Sequence, residues 1–496
     1  MINTLSSTFI LSLVVFALLF LTGKDAAPRY LSNTVYEEPL FINNNPLQDS
    51  TETTPARVTV DFSQPSEEYI RAEDYQCWTS RYLHTSEQNQ LLEDMGPVSI
   101  RRVWIRMELF YDLETKETDY NYDFMGFRLY DYLKMAERNT DTLLLCVAKE
   151  YDFQEGQIGK EEFQIVLENA LAHYLTKFPK IHLVEVLNER DMHFKENPSG
   201  YYEYYQVFYR ALQSAQQQLH PRRAVKLGGP VAHRFHDTFI PAFLELYAAD
   251  TASSKQLDFV LYHQYLYREG YDNPAQVANE KETMQTWLRQ NGLNENTPIY
   301  VTETGVFPTT TGTEFLEKDY VSQAAAVASL DYYYLKQGLG IHPFHWTTIH
   351  VKNSRKNQLV EGKNELTPYG NMMKMQSMLE PALIAAEAQP RDERGIGVYC
   401  LPTLSDSSIT MMIWNYQYTN YDSATAYSVA LSMENIPQQF LNTELNYQRY
   451  LIDEHHANYA TGNAKLAMVE NGSVRMVKQQ HQLSFDLNTN GITLLT

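Results

Sequence analysis

The chain has 496 residues, enough for at least two folding units, and an α/β barrel alone can take about 250 or more of them. Its 40 Lys and Arg stand against 61 Asp and Glu, a net charge of −21 that no basic cluster relieves, so binding to a nucleic-acid backbone is disfavoured. A hydrophobic share of 44% with a mean hydropathy of −0.42 excludes a disordered or polytopic chain. The 36 Tyr are rings with a polar handle, which pack cores and also line sites for polyhydroxylated ligands.

In chain order, the first element is the uncharged apolar run from Thr8 to Thr22, followed by Gly23-Lys24-Asp25-Ala26-Ala27. It falls short of the roughly 20 residues of a spanning helix and has the length of a secretory core. Residues 1–27 are therefore expected to be a signal peptide or an N-terminal anchor. The protein is then exported, secreted or periplasmic, and meets a membrane only if that segment stays uncleaved. Residues 28–55, aperiodic and rich in Asn, Pro, Thr and Glu, read as a linker.

From residue 75, short apolar, β-branched runs alternate with amphipathic helical stretches. The runs are Tyr75–Thr79, Ile100–Met107, Thr142–Lys149, Ile181–Leu187, Ala224–Gly229, Leu257–His263, Pro298–Glu303 and Ile341–Trp346. Between them, Tyr201–Leu219 carries Phe208, Leu212, Ala215 and Leu219 on one helical stripe, and Gln323–Gln337 is a second helix. Near-continuous apolar strands suit a parallel sheet buried on both faces, and eight of them predict an α/β fold, a (β/α)8 TIM barrel, over residues 56–380. An open doubly wound sheet is the alternative, but no G-x-G-x-x-G or G-x-x-x-x-G-K follows any strand. After Pro381 short strands with turn signals predict a C-terminal β-sandwich over 381–496, which residues 56–74, with the alternating run Arg57–Phe62, are open to joining. The cysteines, Cys77, Cys146 and Cys400, are too few and scattered for a disulfide scaffold or a Cys-based zinc site.

Barrel chemistry sits at the carboxyl ends of the strands. The fourth run leads into Asn188-Glu189-Arg190 and the seventh ends on Glu303, about half a barrel away. Two carboxylates across a cleft are the minimal apparatus for cleaving a glycosidic bond. Asn188 can donate a hydrogen bond to a sugar hydroxyl. His263 and Tyr265, two apart on the sixth strand, share a face and can hold Glu303 ionised. Trp346, ending the eighth strand, is either a sugar floor or core. His233 and His236 read as loop residues, and Asp453-Glu454-His455-His456 as a strand segment hydrogen-bonding sandwich to barrel.

Asn188-Glu189 and Glu303 together resemble the catalytic pair of clan A glycoside hydrolases. With Tyr122-Asp123-Phe124, Lys226-Leu227-Gly228-Gly229-Pro230, Asp258-Phe259-Val260, His263, Tyr265 and Tyr450–Asn458, the chain from about residue 75 to 496 resembles glycoside hydrolase family 39, which holds β-xylosidases and α-L-iduronidases. The resemblance implies a retaining hydrolase of O-glycosidic bonds acting on a glycoside or oligosaccharide, with Glu189 as acid/base, Glu303 as nucleophile, and no metal or organic cofactor. Two positions depart from the pattern: Arg190 stands where Pro is common, and Glu108 stands near the family's usual histidine. Arg190 and Lys149 can pair with a uronic acid carboxylate, which keeps an α-L-iduronidase-like hexuronidase open beside the β-xylosidase-like reading. A barrel that binds glycans without cleaving them is the alternative of a different class.

Overall fold

The computed structural model describes residues 53–496 apart from 65, 79–81, 220–222, 236–237, 268–272, 308–319, 350–356 and 418–424. The N-terminal apolar run, nearly all of the 28–55 linker, and His236 lie outside the described residues. Among the described residues no helix is long and apolar enough to cross a membrane.

Eight parallel strands close into a barrel: β3 (Tyr75–Cys77), β4 (Val98–Arg106), β5 (Thr140–Lys149), β6 (Ile181–Glu185), β7 (Lys226–Ala232), β8 (Phe259–Tyr267), β9 (Ile299–Phe307) and β10 (Ile341–Trp346). β10 pairs with β3 to complete the ring, through His345 beside Gln76 and Trp346 beside Cys77. The central residues of these strands are almost wholly buried, as in Leu143–Val147 of β5, because helices cover the outside and side chains fill the inside. The Lys226-Leu227-Gly228-Gly229-Pro230 segment has a steric origin. A Cβ on Gly228 would come within 2.1 Å of the Phe259 ring, and one on Gly229 within 2.8 Å of the Tyr205 ring. Tyr205 lies on the long helix Pro198–Gln218, whose first turn is capped by Asn197 and started by Pro198.

The remaining strands form two sheets. One has the order β12-β1-β15-β18, from β1 (Thr54–Asp61), β12 (Ala386–Gln389), β15 (Tyr427–Glu434) and β18 (Gln480–Leu487). The other runs β17-β16-β19-β14-β13-β11-β2, from β2 (Glu67–Glu68), β11 (Ala382–Leu383), β13 (Gly397–Leu404), β14 (Ile409–Tyr416), β16 (Glu444–Ile452), β17 (Met468–Arg475) and β19 (Ile492–Leu495). An apolar layer containing Val58, Val60, Val398, Ile413, Val429 and Leu431 joins the two sheets into a sandwich. Among the described residues, both strands that precede the barrel belong to these sheets, so the chain passes from the sandwich into the barrel and returns.

The Asp453–His456 segment is not the strand expected from sequence. β16 ends at Ile452, and Asp453 turns the chain by accepting hydrogen bonds from the backbone of His455 and His456 and from His456 Nδ1, each at 2.8 Å. A carboxylate followed by free backbone N–H groups favours such a turn over continued pairing. The bond to the barrel side is made just after it, where Asn371 Nδ2 donates to Ala457 O and Ala464 O at 3.0 and 2.9 Å.

Aromatic packing closes the seam between the two halves. Trp414 of β14 stacks on Tyr399 of β13 with centroids 5.0 Å apart and planes 4° apart, and its Nε1 donates to Ser329 Oγ on the barrel helix Tyr320–Lys336 at 2.9 Å. Arg391 lies over Tyr332 and Tyr399 at 4.8 and 4.6 Å. Trp414→Ala removes a fully buried ring and the bond its Nε1 makes to Ser329 Oγ. It is expected to cost about 3–5 kcal/mol in urea unfolding of the whole chain.

Candidate active site

The site grows from four strands that point inward at one end of the barrel. β8 and β9 run side by side with His263 level with Glu303 and Tyr265 level with Gly305. A register irregularity between Tyr262 and His263 precedes this pairing. The Tyr265 hydroxyl donates to Glu303 Oε2 at 2.7 Å. Arg102, from β4, donates from Nη1 to Glu303 Oε1 at 2.6 Å. The same guanidinium reaches Glu185 Oε1 at the end of β6 through Nε and Nη2, both at 2.5 Å, and Asn188 Oδ1 through Nη2 at 2.6 Å. Cys77 and Cys146 place sulfur 3.6 and 3.4 Å from it, and Trp104 packs its ring 4.7 Å from the guanidinium carbon.

Glu189 reaches this cluster differently. β6 stops at Glu185, short of the strand end that the apolar run to Leu187 suggested, and Glu189 sits on a turn. Leu187 and Glu189 hold φ of +65° and +52°, a left-handed conformation uncommon for side-chain-bearing residues and costly for them. The turn persists because Glu189 N–H donates to Val231 O at 3.0 Å and Asp191, immediately beyond, is fixed by His233. Asp191 accepts from His233 N–H at 2.9 Å and lies 2.6 Å from its Nδ1. The Glu189 side chain, 29% exposed, thereby meets His263 Nδ1 at 2.8 Å, while the same nitrogen lies 3.6 Å from Glu303 Oε2. Donor atoms of Glu189, His263 and Glu303 all fall within 4.8 Å of one another. A metal ion would need such a triad, but Arg102 already supplies positive charge to Glu303.

Burial at 6% exposure works against an ionised Glu303, yet its carboxyl is held below the ordinary range by His263, Arg102 and the Tyr265 hydrogen bond. For His263, burial favours the neutral ring, but Glu303 and Glu189 outweigh it and the imidazole is pushed up from its usual value. The geometry is therefore one carboxylate clamped by a guanidinium, an imidazole and a phenol, beside a second, more exposed carboxyl.

The other residues singled out in the sequence fall in distinct places. Asn188 accepts from Arg102 at Oδ1, which leaves its amide nitrogen as the donor. Trp346 is 6% exposed, with its ring 6.5 Å edge-on from Tyr265 and 5.8 Å from Trp104, so it backs the site as packed core. Glu108 follows β4 on the turn Met107–Phe110 and pairs with Arg106 at 2.7 Å. Arg190 does not offer a free charge for a uronic acid: its Nε lies 2.9 Å from Glu150 and its Nη2 3.1 Å from Asp152. Burial pushes the Glu150 carboxyl up to about 7 while Arg190 opposes the shift. Lys149 shares this rim. Burial, and then the neighbouring Arg106, lower its ammonium from the usual value.

Sequence reasoning missed Arg102 and Glu185. The signal was present: each is a charged residue inside an apolar strand, where nothing but a partner can justify it. Its neighbour Arg101 faces the other way, over the Trp78 ring at 4.2 Å, with hydrogen bonds to Gln76 and Ala136 O.

The sequence matches no family model and no curated protein. The fold is that of solved glycoside hydrolase structures. A bacterial orthologue of human α-L-iduronidase aligns with a TM-score of 0.65 at 13% identity, covering 90% of this chain and 84% of its own. The glycoside hydrolase family 39 enzyme of Xanthomonas axonopodis pv. citri gives 0.63 at 14% identity over 90% and 98% of the two chains. A monomeric β-xylosidase from Caulobacter crescentus CB15 gives 0.64 at 12%, over 88% and 98%. At such identities the likeness establishes a barrel-plus-sandwich fold shared with enzymes that differ in their sugars.

Arg102 is the cation paired with two buried carboxylates, so Arg102→Leu leaves Glu185 without its ion-pair partner and Glu303 with His263 and Tyr265 alone. Equilibrium unfolding at neutral pH is expected to show a loss of about 3–5 kcal/mol, larger than an apolar deletion of that side chain's size would give.

Proposed function

We propose that the protein is a retaining glycoside hydrolase that cleaves O-glycosidic bonds by double displacement. The observation that carries this reading is the spacing: oxygens of Glu189 and Glu303 lie within 4.8 Å, in keeping with the roughly 5–5.5 Å between carboxyl groups that lets one attack the sugar directly. An inverting pair stands about 6.5–9.5 Å apart, to leave room for a water.

In the first step the Glu303 carboxylate, ionised against Arg102 and Tyr265, attacks the anomeric carbon. The bond from that carbon to the leaving oxygen breaks, and Glu189, entering as the carboxylic acid, gives that oxygen its proton. The product is an ester between Glu303 and the sugar. Esterification removes the charge of Glu303, so an anionic Glu189 no longer faces a second carboxylate within 4.8 Å. In the second step Glu189 takes a proton from water as the water oxygen attacks the anomeric carbon, and the ester bond breaks to return the Glu303 carboxylate. Asn188, oriented by Arg102, donates to a sugar hydroxyl beside the reacting carbon. His263 Nδ1 lies between the two carboxyl groups, 2.8 Å from Glu189 and 3.6 Å from Glu303, so it faces whichever of them is anionic at each stage.

The pairing of Arg190 with Glu150 and Asp152 favours a neutral, β-xylosidase-like glycone over a hexuronide. Export through the N-terminal apolar run belongs to the same proposal, and fractionation of the expressed chain with N-terminal sequencing tests it.

Glu303→Ala is expected to lower turnover of nitrophenyl glycosides by about 10³-fold or more, and added azide restores activity with a glycosyl azide of inverted configuration. Glu189→Ala is expected to spare the first step, read as kcat/KM, on dinitrophenyl glycosides, whose leaving group needs no proton, to lower kcat on them by slowing release of the ester, and to abolish cleavage of alkyl glycosides. A parent chain that binds glycans and turns over none of a panel spanning xylosides, glucosides, galactosides and iduronides defeats the hydrolase reading.

A further inference from the structure

Glu185 is the one member of the charged network that no step above uses. It ends β6 fully buried and engages Arg102 through Oε1 alone, while Oε2 is buried without a hydrogen-bond partner. A buried ion pair with an unsatisfied oxygen is a poor source of stability, since packed apolar groups of similar volume often do as well or better. The arrangement makes sense as a division of charge. One guanidinium serves two carboxylates from different strands, Glu185 at 2.5 Å and Glu303 at 2.6 Å.

The groups around this cation and the Glu303 carboxylate come from several strands. Cys77 on β3, Cys146 on β5 and Asn188 after β6 contact Arg102, while His263 and Tyr265 on β8 face Glu303, with Glu189 beyond His263. Tyr132 and Tyr201 approach from the helices Leu129–Ala136 and Pro198–Gln218. Burial pushes both thiols and all three phenols up, so they are neutral at working pH. The charge on Glu303 is then set by Arg102 and His263 against Glu185 and Glu189.

We propose that Glu185 is a positioning residue for Glu303: its anion takes up part of the Arg102 charge, so that Glu303 stays ionised yet basic enough to attack the sugar carbon. This rests on the reading of Glu303 as nucleophile. The sign follows from like charges. An anion near Glu303 disfavours its ionised form, so removing it lets Glu303 ionise at lower pH and makes it a weaker nucleophile.

The test is the pH profile of kcat/KM on an aryl glycoside. Glu185→Gln is expected to move the acid limb down by on the order of one pH unit and to lower the plateau kcat, whereas Glu185→Asp, which keeps the charge, holds the limb near the parent's. Glu185→Met, apolar and of similar length, takes the place of Glu185→Gln if that chain does not fold, with the same expected shift. Lost activity with an unmoved limb in the uncharged variants overturns the proposal, as does a limb in Glu185→Asp that moves as far as theirs. If the parent cleaves no glycoside, the hydrolase reading falls, and the charge coupling is read from stability instead. The Tm difference between the parent and Glu303→Gln fades as pH falls through the titration of Glu303. That fading is expected at lower pH in the Glu185→Gln background, and no displacement there overturns the coupling.

Discussion

The Arg102 guanidinium lies at the centre of the barrel with no access to water, and its bonds to Glu303, Glu185 and Asn188 fix side chains from three segments of the chain relative to one another. Burying a cation is costly unless its donors are all directed at acceptors, and here the acceptors come from β6, the turn after it, and β9. Arginine rather than lysine suits the position, because a planar fork can hold three acceptors in set directions where an ammonium acts as a point charge. The barrel supplies the rigid frame that makes those directions meaningful.

Glu189 is placed by a different device. Its turn carries two residues in left-handed conformation and is held by a backbone bond to β7 and by the Asp191–His233 pair. Local strain of this kind persists where surrounding contacts over-determine it. The result is an asymmetry suited to two carboxyl groups with different work: Glu303 is buried and clamped, Glu189 is more open and touches only the edge of the clamp through His263. Environment, not residue type, separates them.

The barrel was legible because eight apolar runs recur at the spacing of βα units, and the last of them, Ile341–Trp346, coincides with β10. Boundaries elsewhere moved by a few residues. Asn188 and Glu189 could be picked out because they follow a strand, and Glu303, His263 and Tyr265 because they lie at or just beyond the ends of apolar runs, although β9 continues to Phe307 and β8 to Tyr267; the structure brings their polar atoms together. Arg102 and Glu185 escaped notice because apolar neighbours mask them, and the pairing partner of each lies on another strand. The surroundings of Arg190 are hidden for a related reason: a charge beside a site reads as available in sequence, whereas Glu150 and Asp152, far from it only in sequence, lie 2.9 and 3.1 Å from its guanidinium. Asp453 shows the limit of reading strands from apolar runs, since one carboxylate accepting two backbone N–H groups ended β16 where the pattern ran on.

The route of the chain through the sandwich bears on how the protein is made. β1 pairs in parallel with β15, Thr54 beside Tyr427 through Asp61 beside Glu434, so an early strand has its neighbours among the last to be synthesised. A parallel pairing of such long separation carries a large loop-closure entropy until the intervening barrel has condensed. During vectorial synthesis the barrel can therefore form first, leaving β1 with an unpaired edge until residues 427–434 emerge. Cutting the chain after the barrel would not yield two tidy modules, because the N-terminal piece would keep β1 and the C-terminal piece would lack the strand that joins β12 to β15.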